Sequence, residues 1–153
     1  MAGVFWSSGC DYAIRACVHL AGRGEALVPL RELTRAESLP APFAGKVLQT
    51  LVRAGLLRSV KGRHGGYGLA RPPDEISLLT LLAAVDGTRH LDRCVLGLSR
   101  CSDESVCPLH DSVKPLRHVV GEFLASTTLA AMSSAQASKR MRQPPAARRR
   151  RAS

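Results

Sequence analysis

The segment Lys61-Gly-Arg-His-Gly-Gly66 constrains the fold more than any other stretch of this chain. It separates Leu56-Leu-Arg-Ser-Val60, which alternates like a strand, from Tyr67-Gly-Leu-Ala70. Apolar runs on either side of a glycine-rich turn predict a β-hairpin. Helical patterns lie before and after it. From Asp11 to Ala21, Ile14, Cys17, Val18 and Ala21 recur at helical spacing, and Gly22 and Gly24 end the run. Val28-Pro-Leu30 is short and extended. Arg31 to Glu37 predicts a second helix, with Leu33 facing in and Arg31, Glu32, Arg35 and Glu37 facing out. A turn, Ser38-Leu-Pro40-Ala-Pro42, leads to a third helix, with Pro42 tolerated in its first turn. That helix carries Phe43, Val47, Leu48, Leu51 and Val52 and closes at Ala54-Gly55.

Two short helices, a turn and a basic hairpin make a winged helix-turn-helix, because the major groove admits one helix while a neighbouring hairpin reaches the backbone or minor groove. On the third helix Lys46, Gln49, Thr50 and Arg53 lie opposite Val47, Leu48 and Leu51. Lys46 and Gln49 are three residues apart and project together. Glutamine suits an adenine edge, and lysine suits guanine or a phosphate. On the hairpin Arg58, Lys61, Arg63 and His64 gather charge around Gly62, Gly65 and Gly66, where a backbone without Cβ atoms can approach a sugar-phosphate chain. Alone, the helix residues read as an ordinary solvated face and the hairpin as only a stable turn. Their order, with the charge concentrated on the reading elements, points to DNA binding.

Downstream, a helix is predicted from about Ser77 to Val85 and is stopped by Asp86-Gly87. Then come three cysteines, Cys94, Cys101 and Cys107, with His110 three residues after the last. The gaps of six and five residues exceed the two to four of a zinc knuckle. A wide loop with Gly97, Ser99, Ser102 and Asp103 can drape around an iron–sulfur cluster and place its thiolates on separate irons. The plain alternative is three unrelated buried or free thiols, but hydrophobic cysteines seldom cluster in so polar a stretch. Arg93 and Arg100 flank these cysteines and favour their thiolates, which serves oxidation and metal binding alike. A last long helix is expected from about Pro108 to Met132, with Val113, Leu116, Val119, Val120, Phe123, Leu124 and Leu129 on its apolar face.

Composition supplies the rest. At 153 residues and 45% hydrophobic content the chain is one domain with appendages, and with aromatics at 4% the packing falls to Leu, Val and Ala. Neither a secretory signal nor an apolar run long enough to span a bilayer is present, so an intracellular, reducing compartment is expected. Of the net charge of +10, seven cations fall between Lys139 and Arg151 with no acid among them. With Pro144-Pro145 and no apolar period this tail is expected to be disordered, either as a non-specific attractor of nucleic acid or as a plain solvated terminus.

Over about residues 4 to 132 the chain resembles the Rrf family of bacterial iron–sulfur winged-helix transcription regulators, of the IscR and NsrR kind. The resemblance is carried by five segments in order: Asp11-Tyr-Ala-Ile-Arg15, Val47 to Leu57, Gly62-Arg-His-Gly-Gly-Tyr67, Glu75-Ile-Ser-Leu through Val85-Asp-Gly87, and Cys107-Pro-Leu-His110 running to Thr127-Thr-Leu129. It implies a mainly α fold with a small β-hairpin wing. The winged helix-turn-helix domain would span residues 4–87, a cluster-binding loop 88–110, a dimerisation helix 111–135 and a disordered basic tail 136–153. It further implies a homodimer on an inverted-repeat DNA operator, working in the bacterial cytoplasm at the nucleoid, with no membrane. An iron–sulfur cluster, four-iron rather than two-iron, would sit on Cys94, Cys101 and Cys107. Its fourth ligand would be Asp11 of the partner subunit or His110, and nitric oxide or an oxidant would act on it. DNA contacts would fall on Lys46, Gln49, Thr50, Arg53, Arg58, Lys61, Arg63, His64, Gly65, Gly66 and Tyr67. The chain departs from the family in the Phe5-to-Cys10 segment where a short basic start is usual, in a first cysteine gap of six, and in its Arg-rich tail. On the first helix, Cys17 falls on the apolar stripe, whereas Cys10 lies outside it and is a candidate reactive thiol.

The leading expectation is therefore a regulator, in the sense of a repressor, under cluster control. The alternative within the same fold is a thiol-switch or zinc-bound regulator without a cluster. A thiol enzyme using Cys107 and His110 lacks an oxyanion hole, an orienting third group and a cleft, so no enzyme is expected. A non-sensing nucleic-acid binder acting through its tail completes the set.

Overall fold

Serine and glycine punctuation cuts this chain into its elements. In the computed structural model, which describes residues 6–88, 91, 93–98, 102–104 and 106–142, helix α1 spans Ser8–Ala21. It begins three residues earlier than its apolar period predicts because the Ser7 hydroxyl caps it, accepting from the Cys10 N–H at 3.2 Å. Ser7 is itself held by Asp86, whose carboxylate accepts from the Ser7 N–H at 2.8 Å and hydroxyl at 2.5 Å. Helices α2 (Leu30–Glu37) and α3 (Ala41–Arg53) follow. They are joined at Ser38, which adopts the left-handed conformation with φ 52°.

Gly55, with φ +73°, ends the α3 turn and delivers the chain to strand β1 (Leu57–Val60). Strand β2 (Gly66–Leu69) returns antiparallel in the register Leu57↔Leu69 to Val60↔Gly66. Val28 adds a bridge to the outer edge of β2, exchanging both backbone hydrogen bonds with Tyr67 at 2.9 Å. Helix α4 (Leu78–Val85) is capped by Ser77, whose hydroxyl accepts from the Thr80 N–H.

The expected single last helix is two: α5 (His110–Ser126) and α6 (Leu129–Arg142). The break at Thr127-Thr128 has a tertiary cause. Thr128 pairs with Ser77, the Leu78 N–H donates to the Thr127 carbonyl, and the Leu129 N–H donates to the Ile76 carbonyl, both at 2.9 Å. These bonds satisfy backbone groups that a continuous helix would have used internally. A second correction concerns the tail. Residues 136–142, expected to be disordered, form the end of α6, which packs along α1. Residues 143–153 lie outside the described residues.

The main core joins α1, α2, α3, the hairpin and α4 through Ala13, Cys17, Leu33, Leu48, Leu51 and Leu81, and it includes Leu129 of α6. A smaller cluster of Cys10, Leu78, Leu82 and Leu124 ties α5 to α4 and the start of α1. The apolar faces are otherwise incompletely covered. Phe43 is half exposed, packed edge-on to Tyr12. On α5, Leu116, Val119 and Phe123 are 63%, 62% and 50% exposed, a one-faced apolar strip left open by the described residues. Among the described residues no helix is long and apolar enough to cross a membrane.

Candidate nucleic-acid interface and cysteine loop

The outer face of α3 carries Lys46, Gln49 and Arg53, all exposed, with Thr50 half-buried beside them. The Thr50 hydroxyl donates to the Lys46 carbonyl, and Arg53 donates to that hydroxyl at 3.4 Å. Gln49 is oriented by the hairpin: its Nε2 donates to the Tyr67 hydroxyl at 3.0 Å. Tyr67 is 9% exposed, so the phenol stands in the seam between reading helix and hairpin and aims the amide from below. Sequence reasoning placed both residues but missed their bond, which depends on the hairpin folding back over α3.

The hairpin tip presents Lys61, Arg63 and His64 to solvent. Among the described residues, neither these three nor Lys46 nor Arg53 makes an ion pair with an acid. Unneutralised cations on the reading helix and the hairpin tip are what a polyanion attracts. Arg58 behaves differently. It folds back on its own fold, donating through Nη2 to the Glu25 carbonyl at 2.6 Å and through Nε to the Leu69 carbonyl at 3.2 Å. The glycines also have an internal reason. A Cβ on Gly65 would stand 2.1 Å from the Val60 carbonyl oxygen, and one on Gly66 would stand 2.5 Å from that of Val28. The fold itself therefore excludes side chains there, before any nucleic acid approaches.

In the cysteine loop, Cys94 and Cys107 are nearly buried, and their sulfurs lie 3.5 Å apart. Two thiolates bound to one tetrahedral ion at about 2.3 Å stand about 3.8 Å apart, so the donor chemistry and spacing of this pair fit thiolate ligation of a metal centre. Burial pushes the Cys94 thiol up. The amides of Leu96 and Leu98, the Cys107 thiol and the Arg117 guanidinium together outweigh burial and bring it below the usual thiol range. Cys101 lies outside the described residues, and among those described no three His, Cys, Asp or Glu side chains converge on one point. The two fourth-ligand candidates are engaged as follows. His110, the first residue of α5, meets Asp103 of the loop at 2.9 Å through Nε2, and Lys114 meets the same Asp103 oxygen at 2.6 Å. These contacts hold the Asp103 carboxyl below the ordinary carboxylate range, Lys114 contributing most. Asp11, in the first turn of α1, pairs with Arg15 at 3.6 Å.

Two expectations are corrected. Cys10 is not a reactive thiol: it is fully buried, and burial, then the charges of Asp86 and Asp11, push it up to about 12. It lies on a second apolar face of α1, met by α4 and α5, which a single-stripe reading cannot show. Cys17, in the core as expected, is likewise pushed up to about 12 by burial and by Cys10. Glu37 is not a solvent-facing residue of α2. It is 7% exposed, its carboxylate meeting His19 Nδ1 at 2.9 Å and Arg140 Nη2 at 3.7 Å, while Arg15 donates to its backbone carbonyl.

Three helices with a left-handed turn before the third, a hairpin at its end, and cations left open on both define a winged helix-turn-helix regulator of transcription that binds DNA. The chain belongs to the Rrf2 family, whose description is iron-dependent transcriptional regulator and whose family model matches residues 6–135. A putative HTH-type transcriptional regulator of Aquifex aeolicus is 29% identical over 128 residues, covering 82% of this chain and 89% of that one. Among solved structures, IscR of T. potens superimposes with a TM-score of 0.73 at 29% identity, over 93% of this chain and 95% of that one. CymR, the global cysteine regulator of B. subtilis, superimposes with a TM-score of 0.70 at 25% identity, over 88% and 98%. These are families and relatives of transcriptional regulators, not enzymes.

Proposed function

We propose that this protein is a homodimeric repressor whose hold on an inverted-repeat operator depends on an iron–sulfur cluster at Cys94, Cys101 and Cys107. The observation that carries the proposal is the Cys94–Cys107 pair, two nearly buried sulfurs 3.5 Å apart in a loop leading into α5, a spacing that suits two thiolates on one iron rather than on separate irons of a four-iron cluster. Paired thiols with one lowered are poised to ligate, and the family's description as iron-dependent and the likeness to IscR support iron as the metal. Such a cluster, when bound, supplies reactivity toward oxidants or nitric oxide. The chain's own residues do the rest. Asp11 of the partner subunit or His110 completes the ligand set, and Asp103 and Lys114 orient His110. Lys46, Gln49, Thr50 and Arg53 read the major groove. Arg58, Lys61, Arg63 and His64 line the wing, with Gly65, Gly66 and Tyr67 shaping it. The exposed strip of Leu116, Val119 and Phe123 seats the second copy, and a two-fold protein reads a two-fold site.

The test is an anaerobic preparation analysed for iron, sulfide and visible absorption, before and after nitric oxide and oxygen, with operator binding measured in each state. Cys94→Ser, Cys101→Ser and Cys107→Ser should each abolish the absorption. Full iron content and spectrum in the Cys101→Ser protein would overturn the assignment. The same close thiol pair favours a second reading, a thiol switch of the kind that the likeness to a cysteine regulator suggests. Iron-free protein whose DNA binding is lost on oxidation and restored by a dithiol would select it.

A further inference from the structure

The lysine and arginines at the end of α6 are not used by the reading above, although it is the wider DNA-binding function on which their role rests. Helix α6 contains no acidic residue, and its last turn carries Lys139, Arg140 and Arg142, all exposed. Packed along α1 and anchored in the core by Leu129, it ends with Arg140 beside the turn of the DNA-binding motif. Arg140 Nη2 lies 3.7 Å from Glu37 Oε1, and Glu37 is the last residue of α2, four before the start of α3. The C-terminal helix therefore ends at the turn of the helix-turn-helix rather than on a remote face. The nearby acids are already occupied: Glu37 is buried against His19, and Glu32 is paired with Arg23 at 2.5 Å. Lys139 and Arg142 have no acidic partner among the described residues, and the sequence continues beyond α6 with Arg148 to Arg151.

We infer that the last turn of α6 is a second DNA-contacting surface, in which Lys139, Arg140 and Arg142 take backbone phosphates flanking the groove that α3 reads. Such contacts position without reading sequence. They add counterion release, about 0.9 in the slope of log K against log salt for each phosphate neutralised. Arg140 lies beside Glu37, which marks how close the arm stands to the turn ahead of the reading helix.

The experiment uses the full chain and two duplexes, an operator obtained by selection with the wild-type protein and a random duplex of equal length. Titrations are run across a salt series. The Lys139→Ala/Arg140→Ala/Arg142→Ala protein should lose about 2–3 units of slope on both duplexes while the ratio of the two affinities stays constant. Arg140→Lys should retain its share, and Glu37→Gln should keep the wild-type slope. An unchanged slope in the triple variant overturns the proposal. So does a Glu37→Gln protein that loses slope as the triple variant does, since Arg140 would then act only as a brace for α2. Thermal unfolding of each variant shows whether a loss is one of folding. Wild-type protein that ignores both duplexes would instead defeat the DNA-binding reading itself.

Discussion

Individual side chains here are decided by what stands opposite them. Cys10 and Cys17 are buried thiols pushed up to about 12, whereas Cys94 is brought below the usual thiol range. Native metal-free protein treated with iodoacetamide near neutral pH should therefore be modified at Cys94 well before Cys10 or Cys17, which should react only after denaturation. Peptide mass spectrometry reads this directly, and early labelling of Cys10 would contradict its placement. Gly66 supplies a second test. A methyl group 2.5 Å from the Val28 carbonyl oxygen meets backbone, not a movable side chain. Gly66→Ala should cost roughly 2 kcal/mol or more in chemical denaturation, and should detach Val28 from β2. Gly24→Ala, with nothing near its Cβ, should be milder, the cost being confined to its φ of +61°.

At the level of elements, the reading helix and the hairpin form one unit through the Gln49–Tyr67 bond. Gln49→Ala should cost about 1–3 kcal/mol of operator binding and relax one base position per half-site. Tyr67→Phe leaves Gln49 in place but unaimed, and should relax the same position at about 1 kcal/mol. Binding-site selection with both variants checks this, and preferences relaxed at different positions would separate the two residues. The hairpin was legible in the sequence to within a residue, because glycines at a turn act locally and report their own geometry. The extents of α2 and α3 were legible for the same reason, given Ser38 and Gly55. The division of α5 from α6 was not, since nothing in Ser126-Thr-Thr128 breaks a helix. What breaks it is pairing with Ser77, about 50 residues back in the chain. Glu37 was misplaced on equal grounds: a carboxylate on an amphipathic helix reads as solvated unless His19 and Arg140 are known to stand over it. Of the candidate site, the face of α3 and the hairpin cations were legible from spacing and charge. The closeness of Cys94 to Cys107 was not, because they stand 13 positions apart in the sequence.

For the whole molecule, the uncovered strip on α5 carries a quantitative expectation. Leu116→Asp with Phe123→Asp should convert a dimer to a monomer in sedimentation, and operator affinity should fall about 100-fold or more as the second half-site is no longer tethered to the first. A dimer that survives both changes would place the interface elsewhere. Leu129 has a different consequence. It is fully buried in the core shared by α1, α2, α3 and the hairpin, yet it lies about 60 residues beyond the end of the hairpin. The reading half therefore cannot complete its own interior from its own segment of chain. At about 5–20 residues per second, translation leaves roughly 3–12 s between the emergence of the wing and that of the residue that closes the core beneath it. During that interval the nascent protein carries its DNA-reading surface on an unfinished body, so competence to bind is deferred until the cysteine loop and α5 have also been made.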